Sequence, residues 1–236
     1  MLLCHAGDVS AYDGVVVVIP ALDEATRIAD TVAAARSIDV VRGVVVVDDG
    51  SRDETAQRAA EAGAEVVSHD RRRGKAAALE TGAARAAAHD GWGDLPLVLL
   101  DADLQATAAA AAPLAEPVLS GDADLVIGLL PRAPGAGGHG FVVRLARDGI
   151  AQRTGWQPTQ PLSGQRCLTR SLFDAVTPLA SGFGVEVGMT IDALRHGARV
   201  LELPVELSHR VTGSSLRDQL HRARQYRDVR RALRGR

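Results

Sequence analysis

The chain has 236 residues, with 27 basic and 29 acidic side chains, so charge is nearly balanced. This speaks against a nucleic-acid partner held by bulk positive charge. Two cysteines, Cys4 and Cys167, make neither a disulfide framework nor a Cys-rich metal site. No apolar run approaches the ~20 residues that span a bilayer, and MLLCHAGD lacks the basic and apolar regions of a signal peptide. The expectation is a cytoplasmic protein long enough to form a sizeable core.

In chain order, VVVVI (Val15 to Ile19) is a short apolar run rich in β-branched residues that ends at Pro20. An Ala-rich stretch from Glu24 to Arg36 follows, with Ile28 and Val32 at i, i+4, and reads as a helix. VVVV (Val44 to Val47) is a second strand, ending at Asp48-Asp49. Asp53 to Ala62 reads as a helix stopped by Gly63, with Ser51 or Asp53 as its cap. Lys75 to His89 is a third, Ala-rich helix. LVLL (Leu97 to Leu100) is a strand that runs into Asp101. Thr107 to Leu119 is helical in part, interrupted by Pro113 and Pro117. DLVIG (Asp124 to Gly128) is a fourth strand, and Pro131 to Gly140 a Pro/Gly-rich loop. A helix over Phe141–Arg153, a turn at PLSGQR, a helix over Val185–His196 and a strand or strand pair at Arg199–Leu207 come next. A basic amphipathic helix, Ser214 to Arg234, closes the chain.

Continuous rather than alternating apolar strands indicate a sheet covered on both faces. Strand–helix alternation makes that sheet mainly parallel and doubly wound, and such sheets bind ligands beyond the carboxyl ends of their strands. The acids cluster there. Asp101 and Asp103 point to one side of an extended stretch. They either share one Mg²⁺ or Mn²⁺, or one binds the ion while the other holds a sugar hydroxyl; the bland alternative has Asp103 capping the next helix. One of Asp48 and Asp49 can accept a hydrogen bond from a base or ribose. In RRRGKAAAL, Gly74 and Lys75 open a helix and offer backbone N–H groups and an ammonium to an anion, without the Walker pattern.

VVIPALDEATRI, VVVDDGSRDET, RRRGKAAAL and LLDADLQ, in this order, resemble the GT-A nucleotide-sugar glycosyltransferases, family 2 above all. The resemblance implies a Rossmann-like, mostly parallel three-layer α/β/α fold in one domain. Residues 1–105 would be its nucleotide-sugar half and 106–236 its acceptor half. It implies a hexosyltransferase in which Pro20, Ala21, Leu22 and Glu24 line the nucleoside pocket, with Gly50 and Ser51 beside it. Asp49 or Asp48 would contact uracil or guanine of a UDP- or GDP-sugar. Lys75 would meet the diphosphate, and Asp101, Ala102 and Asp103 form the metal-binding D-x-D.

The second half is less regular. GFGVEVG and PLSGQR resemble the glucosyl-3-phosphoglycerate synthases and the polyprenyl-phosphate glycosyltransferases. This implies an anionic acceptor, a small molecule or a lipid phosphate, at Ser163, Gly164, Gln165 and Arg166. Arg210 is a further anion ligand, and His209 completes the metal shell. Glu186 stands where inverting relatives carry a catalytic base pair, here followed by Val187; either Glu186 takes that catalytic role, or an already ionised acceptor needs no such base. The terminal helix either docks on its own domain, forms a homodimer or lies on an anionic membrane surface. The rival readings are a sugar-phosphate nucleotidyltransferase, disfavoured by the acidic PALDE after the first strand, and a catalytically silent nucleotide-sugar binding module.

Overall fold

The structure, a computed structural model, describes residues 12–131, 140–208 and 216–236, with the backbone alone for 216–223. The expected strands appear as β1 (Val15–Ala21), β2 (Val41–Asp48), β4 (Leu97–Leu99), β5 (Leu125–Leu129) and β7 (Val200–Pro204). The helices between them are α1 (Ile28–Arg36), α2 (Thr55–Glu61), α3 (Lys75–Ala87), α4 (Glu116–Leu119), α5 (Gly140–Thr154), α6 (Arg170–Ala175), α7 (Val185–Arg195) and α8 (Leu216–Arg234). The stretch before α4, Gln105–Leu114, is a 3₁₀ helix. Pro113 lacks the N–H that would carry an α-helix through this point.

Two strands escape sequence reading: β3 (Glu65–Ser68) and β6 (Arg166–Leu168). Both are too short to show a periodicity, and β6 was expected to be part of a turn. The seven described strands run in the order β3-β2-β1-β4-β6-β5-β7. All neighbours are parallel except β6, which lies antiparallel to β4 and β5. β1 therefore has β2 on one side and β4 on the other, the switch point at which an open α/β sheet leaves a crevice beyond its strand ends.

The sheet is buried on both faces, as the continuous apolar runs require. Val15, Val17 and Ile19 point into one core with α1 and the 3₁₀ helix, while Val16 and Val18 point into the other with α3, α6 and α7. All five are fully buried, each contributing roughly 1.5–3 kcal/mol of transfer free energy. Close approach fixes α3: a Cβ on Gly82 would stand 2.4 Å from a Val18 methyl, so only glycine lets this helix lie so near β1.

The C-terminal half of α8 docks on its own domain. Val229 and Leu233 are buried against α5 and α7, Ala232 lies over Gly184, and Leu233 covers the bare backbone of Gly149. This is the own-domain alternative of the three open for that helix. No helix among the described residues is long and apolar enough to cross a membrane.

Candidate active site

The loops after β1 and β2 are tied to each other. The Asp23 N–H donates to the Ser51 hydroxyl (2.9 Å), the Glu24 N–H to the Thr55 hydroxyl (2.8 Å) and the Ala25 N–H to Asp53 (3.2 Å). In return the Arg52 N–H donates to Asp23 (2.9 Å), whose φ of 55° lies in the left-handed region that Asp tolerates. The sequence suggested that Ser51 or Asp53 caps α2. Asp53 does so: its Oδ1 accepts the N–H of Thr55, the first residue of α2, at 3.1 Å, while its Oδ2 and the Ser51 hydroxyl serve the neighbouring loop. Pro20 and Ala21 thus end β1, and Leu22 and Glu24 follow on a loop braced by its neighbour, with Glu24 also paired to Arg27 at 2.9 Å.

Asp48 and Asp49 differ in what they hold. Asp48 accepts the N–H of Ser51 at 3.0 Å and also its hydroxyl, closing the turn through Gly50. Asp49, 4% exposed, accepts the N–H groups of Arg73 (2.8 Å) and Gly74 (2.7 Å) and faces His69 Nδ1 at 2.8 Å. Burial pushes the Asp49 carboxyl up, but the bonds from His69, Arg73 and Gly74 outweigh it and hold the group below the usual carboxylate range. Its oxygens are thus directed at protein donors. The Gly74 amide, expected with Lys75 to bind an anion, is bound by this carboxylate, as is the Arg73 amide.

Lys75, the first residue of α3, reaches Asp101 at 2.8 Å and Glu186 at 2.9 Å. Burial disfavours the ammonium, but the charges of Asp101 and Glu186 dominate and raise its pKa above the ordinary lysine value. Asp101 is held from a second direction by Gln165: the Gln165 Nε2 donates to Asp101 Oδ2 at 2.5 Å, and its Oε1 accepts the Asp101 N–H at 3.1 Å. Gly164 packs directly on this group, since a Cβ there would stand 2.6 Å from Lys75 Nζ. The D-x-D loop has a brace the sequence does not announce. Thr31 of α1, fully buried, donates to the Ala102 carbonyl at 2.9 Å and accepts the Gln105 N–H at 2.8 Å. That hydroxyl satisfies the first amide of the 3₁₀ helix.

The acceptor-side residues divide. Ser163 donates to the Gly128 carbonyl at 2.6 Å and shapes the turn. Arg166 was expected to grip an anion, but it is 1% exposed. Its Nε donates to the Ser163 carbonyl (2.9 Å) and its Nη1 to Thr190 of α7 (3.0 Å), while Nη2 is buried without a partner. Burial pushes the guanidinium down to about 10, against the pull of Glu186 and Glu202. Arg166 therefore fastens the turn to α7 and does not face a ligand. His209 and Arg210 lie outside the described residues. So does the segment 132–139 of the Pro/Gly-rich loop.

Asp101 and Asp103 are both half-buried at the mouth of the crevice. Hard carboxylate oxygens in such a place fit Mg²⁺ or Mn²⁺ with further ligands from a phosphate. Among the described residues no group of three or more His, Cys, Asp or Glu side chains is placed to hold a metal, so these two acids are the protein donors on which the fit rests.

Carboxylates and a lysine thus gather beyond the strand ends at the switch point of a GT-A, Rossmann-like sheet. The glycosyl transferase family 2 model matches residues 16–182, and the chain belongs to that family. It is 34% identical over 202 residues to a glucosyl-3-phosphoglycerate synthase of Mycolicibacterium paratuberculosis, covering 75% of this chain and 58% of the relative. It is 32% identical over 211 residues to the glycosyltransferase AglJ of Haloferax volcanii, covering 86% and 65%. The chain thus spans about six tenths of the length of these curated relatives. Among solved structures, the glucosyl-3-phosphoglycerate synthase of Mycobacterium tuberculosis with Mn²⁺, UDP and phosphoglyceric acid superposes with a TM-score of 0.75 at 30% identity, over 94% of this chain and 77% of that one. The same enzyme with Mg²⁺ and UDP gives a TM-score of 0.73 at 30% identity, over 94% and 78%.

Proposed function

We propose that this protein transfers a hexosyl group from a nucleotide-diphosphate sugar, with uridine as the base, to a small acceptor that carries a phosphate or carboxylate. The observation that carries the reading is the cluster of Lys75, Asp101 and Glu186 beneath Gly164, where both halves of the chain meet at the switch point. The mycobacterial relatives whose solved forms hold UDP-glucose with phosphoglyceric acid, or with glycerol 3-phosphate, supply the substrate classes.

In this reading Asp101 and Asp103 hold Mg²⁺ or Mn²⁺. The bound ion supplies Lewis-acid neutralisation of the leaving diphosphate. Lys75 leaves its carboxylate partners for the diphosphate and places a fixed positive charge where negative charge develops. The loop Pro20–Glu24, braced by Ser51, Asp53 and Thr55, receives the nucleoside. Asp48 is the acid of its pair that remains for the base, because Asp49 is directed at His69 and the Arg73–Gly74 amides. The bare backbone of Gly164 leaves room for the sugar and acceptor to approach Lys75 and Asp101. Glu186 turns an oxygen to Lys75, not to a substrate hydroxyl, an arrangement suited to an acceptor that arrives already ionised and needs no proton removed.

Thermal shift with UDP, GDP and their sugars, each with Mn²⁺, tests the donor half. A ligand at 100 times its dissociation constant adds roughly 2.7 kcal/mol of stability. A uridine nucleotide alone is expected to give that rise, followed by product formation with a phosphorylated three-carbon acid. Stabilisation by NTP with sugar 1-phosphate and release of diphosphate would instead establish a nucleotidyltransferase. Donor binding with no transfer to any anionic acceptor would leave a silent binding module.

A further inference from the structure

We infer that His69 is a positioning residue for the donor's diphosphate: it bridges Thr81 and Asp49, and through Asp49 it sets the backbone that presents Lys75. The inference rests on the donor-binding reading above and adds to it a residue that touches no substrate.

The chain of contacts runs inward from α3. The Thr81 hydroxyl, two turns into the helix, lies 3.0 Å from His69 Nε2. The other ring nitrogen lies 2.8 Å from Asp49 Oδ1. Asp49 in turn accepts the Arg73 and Gly74 N–H groups, immediately before Lys75. An ionised Asp49 is an acceptor only, so Nδ1 carries the proton, and a neutral ring then accepts the Thr81 hydroxyl proton at Nε2. Every member of the relay is satisfied without a second charge.

Its geometry shows why a relay is needed. Gly74 adopts φ 96°, a conformation open to glycine and costly for other residues, with nothing within 4 Å of where a Cβ would stand. No side-chain packing therefore holds this residue, and α3 has no cap from its own N-terminal side chain. The carboxylate of Asp49 and the close seat on Gly50, whose Cβ would stand 2.8 Å from the Arg71 and Arg72 backbone, fix the turn. His69 is 9% exposed and orients that carboxylate from behind, tying it to the helix that Lys75 begins. Without the ring, Asp49 is held by the Arg73 and Gly74 amides alone, and the carboxylate and the turn that presents Lys75 lose their tie to α3.

The test measures UDP and uridine affinities separately, with Mn²⁺ present, for the wild type and for H69L, H69N and T81V. Uridine reports the nucleoside loop, and the difference between UDP and uridine reports the diphosphate cradle. H69L is expected to bind UDP roughly tenfold more weakly, the value of one charge-assisted hydrogen bond, with uridine affinity unchanged. H69N, whose amide restores a donor to Asp49, is expected to recover most of the loss, and T81V to show a smaller one. If H69L fails to fold, H69Q, which reaches Thr81 but withdraws the donor from Asp49, carries the same expectation. UDP binding as in the wild type, or an equal fall for UDP and uridine, overturns the role of His69. A wild type that binds neither ligand overturns the donor-binding reading itself, before any variant is compared.

Discussion

The donor side and the acceptor side of this site are built over different distances along the chain. On the donor side, partners lie 20 to 31 residues apart: His69 with Asp49, Gly74 with Asp49, Asp23 with Ser51, Glu24 with Thr55. On the acceptor side, Asp101 meets Gln165 across 64 residues, and Lys75 meets Glu186 across 111. The donor cradle consequently consists of exchanges between adjacent βα loops. The acceptor side exists only once β6 has been inserted between β4 and β5. Lys75 belongs to both, local in its placement and long-range in its charge partners.

Substitutions sharpen this contrast. Replacing Asp101 and Asp103 together by Ala strikes the point where both sides meet; turnover should fall at least about 10²-fold, the scale of losing fixed transition-state electrostatics, with donor-independent stability little changed. Steady-state kinetics with a defined Mn²⁺ concentration check it, and chelation of the wild type should reproduce the loss. On the acceptor side, R166A removes the donors to Ser163 and Thr190 and leaves a cavity in their place. It should cost about 3 kcal/mol in denaturant unfolding, while UDP binding by the folded fraction persists. If UDP affinity falls equally, the two sides are not separable.

Smaller effects probe single contacts. G164A places a methyl group against Lys75 Nζ; the lysine must swing aside, and kcat should drop roughly tenfold for the loss of one charged contact with unfolding almost unaltered. S51A removes the hydroxyl that donates to Asp48 and accepts the Asp23 N–H and should cost about 1 kcal/mol, confined to the donor side and visible as weaker uridine binding. The least effect is in pH. The folded Asp49 titrates below its unfolded value. Its contribution is present above about pH 4 and is lost as pH falls through the folded value. Acid unfolding of D49N should therefore lack that component of the slope.

Much of the framework was legible because it is written in contiguous residues. Unbroken Val and Leu runs marked the two-sided sheet, and VVVVDDGSRDET and LLDADLQ placed the acids at strand ends. The GT-A likeness carried by these motifs is the one the fold displays. What sequence reading missed depends on partners brought from afar. Nothing about His69 sets it apart from any other loop histidine until Asp49 and Thr81 close around it. Thr31 sits in an Ala-rich helix with no sign that it braces the Ala102 carbonyl. Arg166 carries the charge expected of an anion ligand, but its place in a three-residue strand between two others buries it. Gln165 reads as part of the acceptor turn, whereas its amide both donates to Asp101 and accepts from it.

That amide also joins two properties usually treated as independent. The turn that borders the acceptor and the carboxylate proposed for the metal are connected by a single side chain. Grafting a foreign turn to change which molecule receives the sugar would therefore retune the divalent-ion requirement at the same time. An exchange that keeps glutamine at position 165 is the one in which specificity can drift while ion dependence stays put.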